Sequence, residues 1–238
     1  MFFVINLAIA YRTEGIHMKL FTVLLILVNL IPAWSQSTRP HNTYYYQKKA
    51  LFELLPNDSD EIIFLGNSIT DGCEWHELFN DPRIKNRGIS ADVTGGVLDR
   101  LDEVVESKPL QIFLMIGIND LARGDSLDYI LANYRQIIQL IKEKTPASEL
   151  YIQSVLPVND SFNQFKNHVN KTDQVINLNA RLEQLSGEQQ VTFIDLYSKF
   201  TTPEGKLDPE YTNDGLHLTG KGYLHWKALV TKYVLPQK

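Results

Sequence analysis

What this 238-residue chain has little of narrows its reading first. Its one cysteine, Cys73, excludes an intramolecular disulfide. No His and Cys cluster stands at zinc spacing and the HExxH pattern is absent, so no metal and no cofactor is expected. Positive charge is also scarce, with 23 Lys and Arg against 28 Asp and Glu and a formal net charge of −5. A mildly acidic chain without a basic stripe excludes nucleic acid and anionic membrane surfaces as expected partners. The apolar run from Leu20 to Ile31 is shorter than the ~20 residues a membrane helix needs. No internal repeat or low-complexity tract divides the chain.

That apolar run has a different reading as an address. Met18-Lys19 supplies a positive start, Leu20 to Ile31 an apolar centre, and Ala33-Trp34-Ser35 small residues at positions a signal peptidase reads. The pattern predicts a signal peptide over 1–35 cut before Gln36, an exported protein in the periplasm or outside the cell, and one domain over 36–238 with no stable membrane span after cleavage. Met18 is then a candidate initiator, the other reading being one long N-region from Met1. Cys73, a single cysteine next to a turn, is expected to be a small buried hydrophobe sooner than a reactive thiol.

Beyond the leader, short apolar runs alternate with helical patterns. Strands are predicted at 61–65, 84–87, 110–116, 149–155 and 191–195, and helices at 43–55, 93–106, 126–144, 172–186 and 220–234. Such alternation predicts an α/β fold with a parallel sheet covered on both faces. Tyr129, Ile130, Tyr134, Ile137, Ile138 and Ile141 recur at helical spacing and are core candidates.

Three of these strands end in Gly and polar residues, at the edge where α/β proteins bind ligands. Gly66-Asn67-Ser68 follows the first, and a serine there becomes a nucleophile only if a base takes its proton and donors hold the oxyanion. Those three residues also suit a plain turn. Asn86-Arg87-Gly88-Ile89-Ser90 follows the second, and Gly117-Ile118-Asn119-Asp120 the third. The Gly88 N–H and the Asn119 side-chain amide are donors of the required kind, and turn shaping is the alternative for each. Near the C-terminus, Asp214-Gly215-Leu216-His217 puts a carboxylate three residues from an imidazole, a spacing that lets both converge on one serine. A helix-capping histidine, and a capping or metal-binding aspartate, are the competing readings. Asp92 is predicted to cap the 93–106 helix, Asp71-Gly72 to form a turn, and Asp120 to support the loop carrying Asn119.

Taken in order, GNSIT with Ser68, NRGIS with Gly88, GIND with Asn119 and DGLHLTGKGY with His217 resemble the four blocks of the SGNH (GDSL-type) esterases and acylhydrolases, over Ile62 to Tyr223. NRGISADVTGGVLDRL and LHLTGKGY look most like the platelet-activating-factor acetylhydrolase branch and nearby bacterial carbohydrate acetylesterases. Asn67 departs from the family's Asp. The resemblance implies a three-layer α/β/α sandwich with a mainly parallel five-stranded, flavodoxin-like sheet. It also implies Ser68 as nucleophile, His217 as base and then acid, Asp214 as its orienting group, and an oxyanion hole from Ser68, Gly88 and Asn119.

For substrate, Pro157 to Asn170 joins Asn159, Asp160, Asn163, Gln164, Asn167 and Asn170 to the rings of Phe162 and Phe165. Hydrogen bonders beside ring faces suit sugars, Trp75 is a further platform candidate, and a solvated loop is the alternative. With no long apolar stretch to form a lid, the expectation is a secreted serine esterase removing short acyl groups, foremost O-acetyl groups on a glycan or another small-molecule ester. The alternatives are a lysophospholipase or thioesterase acting on longer chains, or a silent carbohydrate-binding protein on the same fold. Oligomeric state is left open.

Overall fold

Among the described residues, five short segments become strands: β1 Ile62–Gly66, β2 Ile84–Gly88, β3 Gln111–Met115, β4 Glu149–Gln153 and β5 Thr192–Ile194. They pair in parallel in the order β2-β1-β3-β4-β5. All five residues of β1 and of β3 are buried, as a sheet covered on both faces requires. The structure is a computed structural model that describes residues 41–234, all within one compact unit spanning 37–238. The signal-peptide expectation, its cleavage site and Met18 lie outside the described residues.

Eleven α-helices are described: α1 Thr43–Phe52, α2 Ser68–Asp71, α3 Trp75–Phe79, α4 Thr94–Asp99, α5 Leu101–Val105, α6 Ile118–Arg123, α7 Leu127–Lys144, α8 Lys166–Val169, α9 Thr172–Glu188, α10 Tyr197–Phe200 and α11 Gly220–Val230. From β1 to β2 the chain steps one way across the sheet, and from β2 through β5 the other way. Right-handed crossovers therefore put α2 and α3 on one face and α4 through α9 on the other. Contacts agree: α3 packs with α11, while α7 packs with α4 and α9. This is the expected three-layer α/β/α sandwich. The reversal also opens a crevice beyond the carboxyl ends of β1 and β3, where Ser68 and Asn119 follow.

Apolar packing explains the layers. Phe64, Phe113 and Tyr151 occupy matching register positions on β1, β3 and β4 and stack at centroid separations of 4.9 and 4.6 Å. Trp75 lies on Phe64 at 4.0 Å and meets Trp226 of α11 edge-on at 4.8 Å, so one face of the sheet is sealed by rings. Trp75 is wholly buried, with its Nε1–H donating to the Thr70 carbonyl, which removes it as a sugar platform. Cys73 is buried, and burial pushes its thiol up to about 12, which fits a small hydrophobe.

The expected helix over 93–106 is two helices. It breaks at Arg100 (φ −125°, ψ 14°), whose buried guanidinium reaches the Asp92 carboxylate and the Gly66 and Arg87 carbonyls. Satisfying a buried cation there outweighs one turn of helix. Asp92 correspondingly is no helix cap: Val93 holds the N-cap position, and the Asp92 carboxylate pairs with Arg100 at 2.9 Å.

Candidate active site

Ser68 opens α2 at the end of β1. Asn67 caps that helix, its side-chain oxygen accepting the Ile69 N–H at 3.0 Å. The cap needs only an acceptor, so Asn serves there as Asp would. On the far side of the crevice, Asp214 folds the chain over itself. Its Oδ1 accepts the Leu216 and His217 backbone N–H groups, each at 2.8 Å, and its Oδ2 lies 2.8 Å from His217 Nδ1. Gly215 makes the turn possible, because its φ is +85° and a Cβ there would stand 2.1 Å from the Asn159 carbonyl oxygen.

The relay continues to Ser68. A carboxylate can only accept, so His217 carries its proton on Nδ1 and presents the Nε2 lone pair to Ser68 Oγ, 3.0 Å away. Burial would raise the Asp214 carboxyl, but the His217 and Leu216 backbone N–H groups and the His217 ring together hold it below the ordinary carboxylate value. Asp214 stays ionised, which fixes the tautomer. A hydroxyl, a base with its lone pair aimed at that hydroxyl, and a carboxylate behind the base form the arrangement that activates a serine for acyl transfer. The His217 and Asp214 side chains keep 29% and 16% of their exposure, so an ester can reach the relay from solvent.

Of the expected oxyanion donors, Asn119 lies 7% exposed in α6, its Nδ2 donating to the Asp92 carbonyl at 2.8 Å and leaving a second N–H. The Gly88 N–H donates to Asn86 Oδ1 at 2.8 Å, so an oxyanion must share or displace that amide. Gly88 is also required sterically, since a Cβ would stand 2.1 Å from the Asp71 backbone nitrogen. Asn86 donates in turn to the Asp71 and Cys73 carbonyls and ties the end of α2 to β2.

The other aspartates have other duties. Asp71 closes α2 and accepts from Tyr44 Oη at 2.8 Å. Asp120 accepts the Thr94 N–H at 3.0 Å and its hydroxyl, and so caps α4 from a neighbouring element. No group of three or more metal-ligating side chains occurs among the described residues.

The Pro157 to Asn170 segment reaches the site. Phe165 meets His217 edge-on at 5.0 Å. His168 went unnoticed in the sequence, yet its Nε2 lies 3.0 Å from Asn119 Oδ1. Nothing local marks it, because the two residues stand 49 positions apart.

Fold and site together define an ester-hydrolysing enzyme of the SGNH type. The chain belongs to the GDSL-like lipase/acylhydrolase family, whose model matches residues 64–224. It is 28% identical over 169 residues to the human platelet-activating factor acetylhydrolase IB subunit alpha1, covering 68% of this chain and 70% of that one. Among solved structures, a GDSL-like lipase from Bacteroides thetaiotaomicron superposes with a TM-score of 0.70 at 26% identity, over 79% of this chain and 96% of that one. A catalytic mutant of an acetylxylan esterase from Geobacillus stearothermophilus shares the fold at a TM-score of 0.60 and 17% identity, over 76% and 99% of the two chains.

Proposed function

We propose that the protein is an exported serine esterase that removes short acyl groups, foremost O-acetyl groups on carbohydrate. The observation that carries the mechanism is the relay of Asp214 Oδ2, His217 and Ser68 Oγ, with separations of 2.8 and 3.0 Å. Ser68 Oγ attacks the ester carbonyl while His217 Nε2 takes its proton. The oxyanion is held by the Ser68 N–H, the second Asn119 Nδ2–H, and the Gly88 N–H as it turns from Asn86. His217 then gives its proton to the departing alcohol, and the acyl-enzyme forms. Water, deprotonated by His217, attacks that acyl carbonyl; the Ser68 ester bond breaks, Ser68 regains its proton, and the carboxylic acid leaves.

Support for a short acyl group on a sugar comes from the rim. Asp160, Asn163, Gln164 and Asn167 are exposed in the same segment as Phe165, whose ring meets His217 edge-on, so the segment offers hydrogen bonds and one apolar face. The likeness in fold to an acetylxylan esterase points the same way. The test is hydrolysis of p-nitrophenyl acetate, butyrate and palmitate beside Ser68→Ala and His217→Ala. Preference for acetate, lost in both variants with melting temperature retained, is expected. Activity surviving Ser68→Ala would overturn the mechanism, and preference for palmitate would replace the short-acyl reading with a long-chain one. Export is tested by N-terminal sequencing of the protein recovered outside the cytoplasm, with Gln36 expected first.

A further inference from the structure

Asn119 is held from two sides. Its amide nitrogen donates to the Asp92 carbonyl at 2.8 Å, and its Oδ1 lies 3.0 Å from His168 Nε2. A carbonyl only accepts, so the nitrogen must face Asp92 and the oxygen must face His168. That oxygen also only accepts, so His168 carries a proton on Nε2. Asp92 is a firm anchor, because its carboxylate is paired at 2.9 Å with the buried Arg100.

We propose that His168 is a positioning residue for ester hydrolysis: its Nε2–H holds Asn119 Oδ1 so that the second Asn119 Nδ2–H stays turned to the developing oxyanion. The inference rests on the reading of Ser68 as nucleophile. Two physical effects support it. A primary amide anchored only through nitrogen can rock about its terminal torsion, and an oxyanion donor acts through being fixed before charge develops. A hydrogen bond received at Oδ1 also polarises the amide and strengthens its N–H as a donor.

The local fold delivers His168 to this position. Phe165, in the left-handed region at φ +48°, turns the chain into α8 and accepts the His168 backbone N–H at 2.7 Å. Burial first, then the nearby His217 and Arg123, lower the His168 pKa. Neutral or charged, Nε2 keeps its hydrogen, so the hold on Asn119 does not depend on pH. A proton-transfer role would.

Steady-state hydrolysis of p-nitrophenyl acetate by His168→Leu, His168→Gln, Asn119→Ala and the Asn119→Ala/His168→Leu double variant tests this, with thermal melting of each. Losing a whole oxyanion donor costs about 10²–10³ in kcat, so loosening one in His168→Leu should cost roughly tenfold with KM little changed. His168→Gln, whose amide can still donate, should recover most of that loss and keep the acid limb of the wild-type pH profile. In the Asn119→Ala background, His168→Leu should change kcat no further. Full activity of His168→Leu, an equal loss in both backgrounds, or a displaced acid limb in His168→Gln would overturn the proposal. Activity surviving Ser68→Ala would overturn the esterase reading and this inference with it, whereas an inactive Ser68→Ala beside a fully active His168→Leu would overturn this inference alone.

Discussion

Replacing the Asp214 carboxylate by an amide isolates its charge. In Asp214→Asn, Oδ1 can still accept the Leu216 and His217 backbone N–H groups, so the turn persists. The amide nitrogen, however, donates toward His217 Nδ1 and favours the wrong tautomer, which turns an N–H toward Ser68. A loss in kcat on the order of 10⁴ is expected at little cost in melting temperature, read by kinetics and calorimetry. Retained kcat would show that the carboxylate is not what orients the ring. At this scale the relay was legible because each of its residues sits in a local pattern, a strand end or a three-residue spacing. His168 was not, since its meaning comes only from Asn119 across the fold.

Between elements, Asp120 caps α4 by accepting the Thr94 N–H and hydroxyl. Burial is the largest influence on this carboxyl and pushes it from 3.8 up to about 7. The sign follows: between those values the folded state binds the proton that the unfolded state releases, so the contribution to stability is full below about 4 and is lost as pH rises through about 7. Asp120→Asn keeps an acceptor for Thr94 and removes the titration. Going from pH 8 to pH 5, the wild type should therefore gain on the order of 2 kcal/mol relative to Asp120→Asn in urea unfolding. Parallel pH dependence of the two proteins would sink this account. Periodicity located every strand and the long helices, with α7 beginning where Ser126 caps it. It did not foresee the break at Arg100, because a guanidinium placed in the core reads in sequence as a surface residue of an amphipathic helix. Nor did it foresee the short α2 and α6, whose few residues show no period.

Across the whole molecule, Arg100 ties the carboxyl ends of β1 and β2 to the layer below. It reaches the Gly66 and Arg87 carbonyls, Asp92 and Glu103, and Asn119 hangs from the carbonyl of the same Asp92. Arg100→Met fills similar space but leaves two buried carboxylates without this cation, so a loss of roughly 3–5 kcal/mol is expected in urea unfolding, with kcat falling alongside. A loss below about 1 kcal/mol would mean that Glu103 is satisfied by Arg87 alone and that Asp92 is neutral. By itself the sequence determined the α/β class, the order of the strands along the chain, the serine that follows the first strand, and the aspartate and histidine three residues apart near the C-terminus. Those follow from periodicity and turn chemistry, which act over a few residues. Only the tertiary structure decided that Ser68 and His217, 149 residues apart, stand 3.0 Å from each other, that Trp75 is core, and that His168 holds Asn119. Such contacts depend on how layers pack and on which buried polar groups can satisfy one another, and that is settled between elements, not within them.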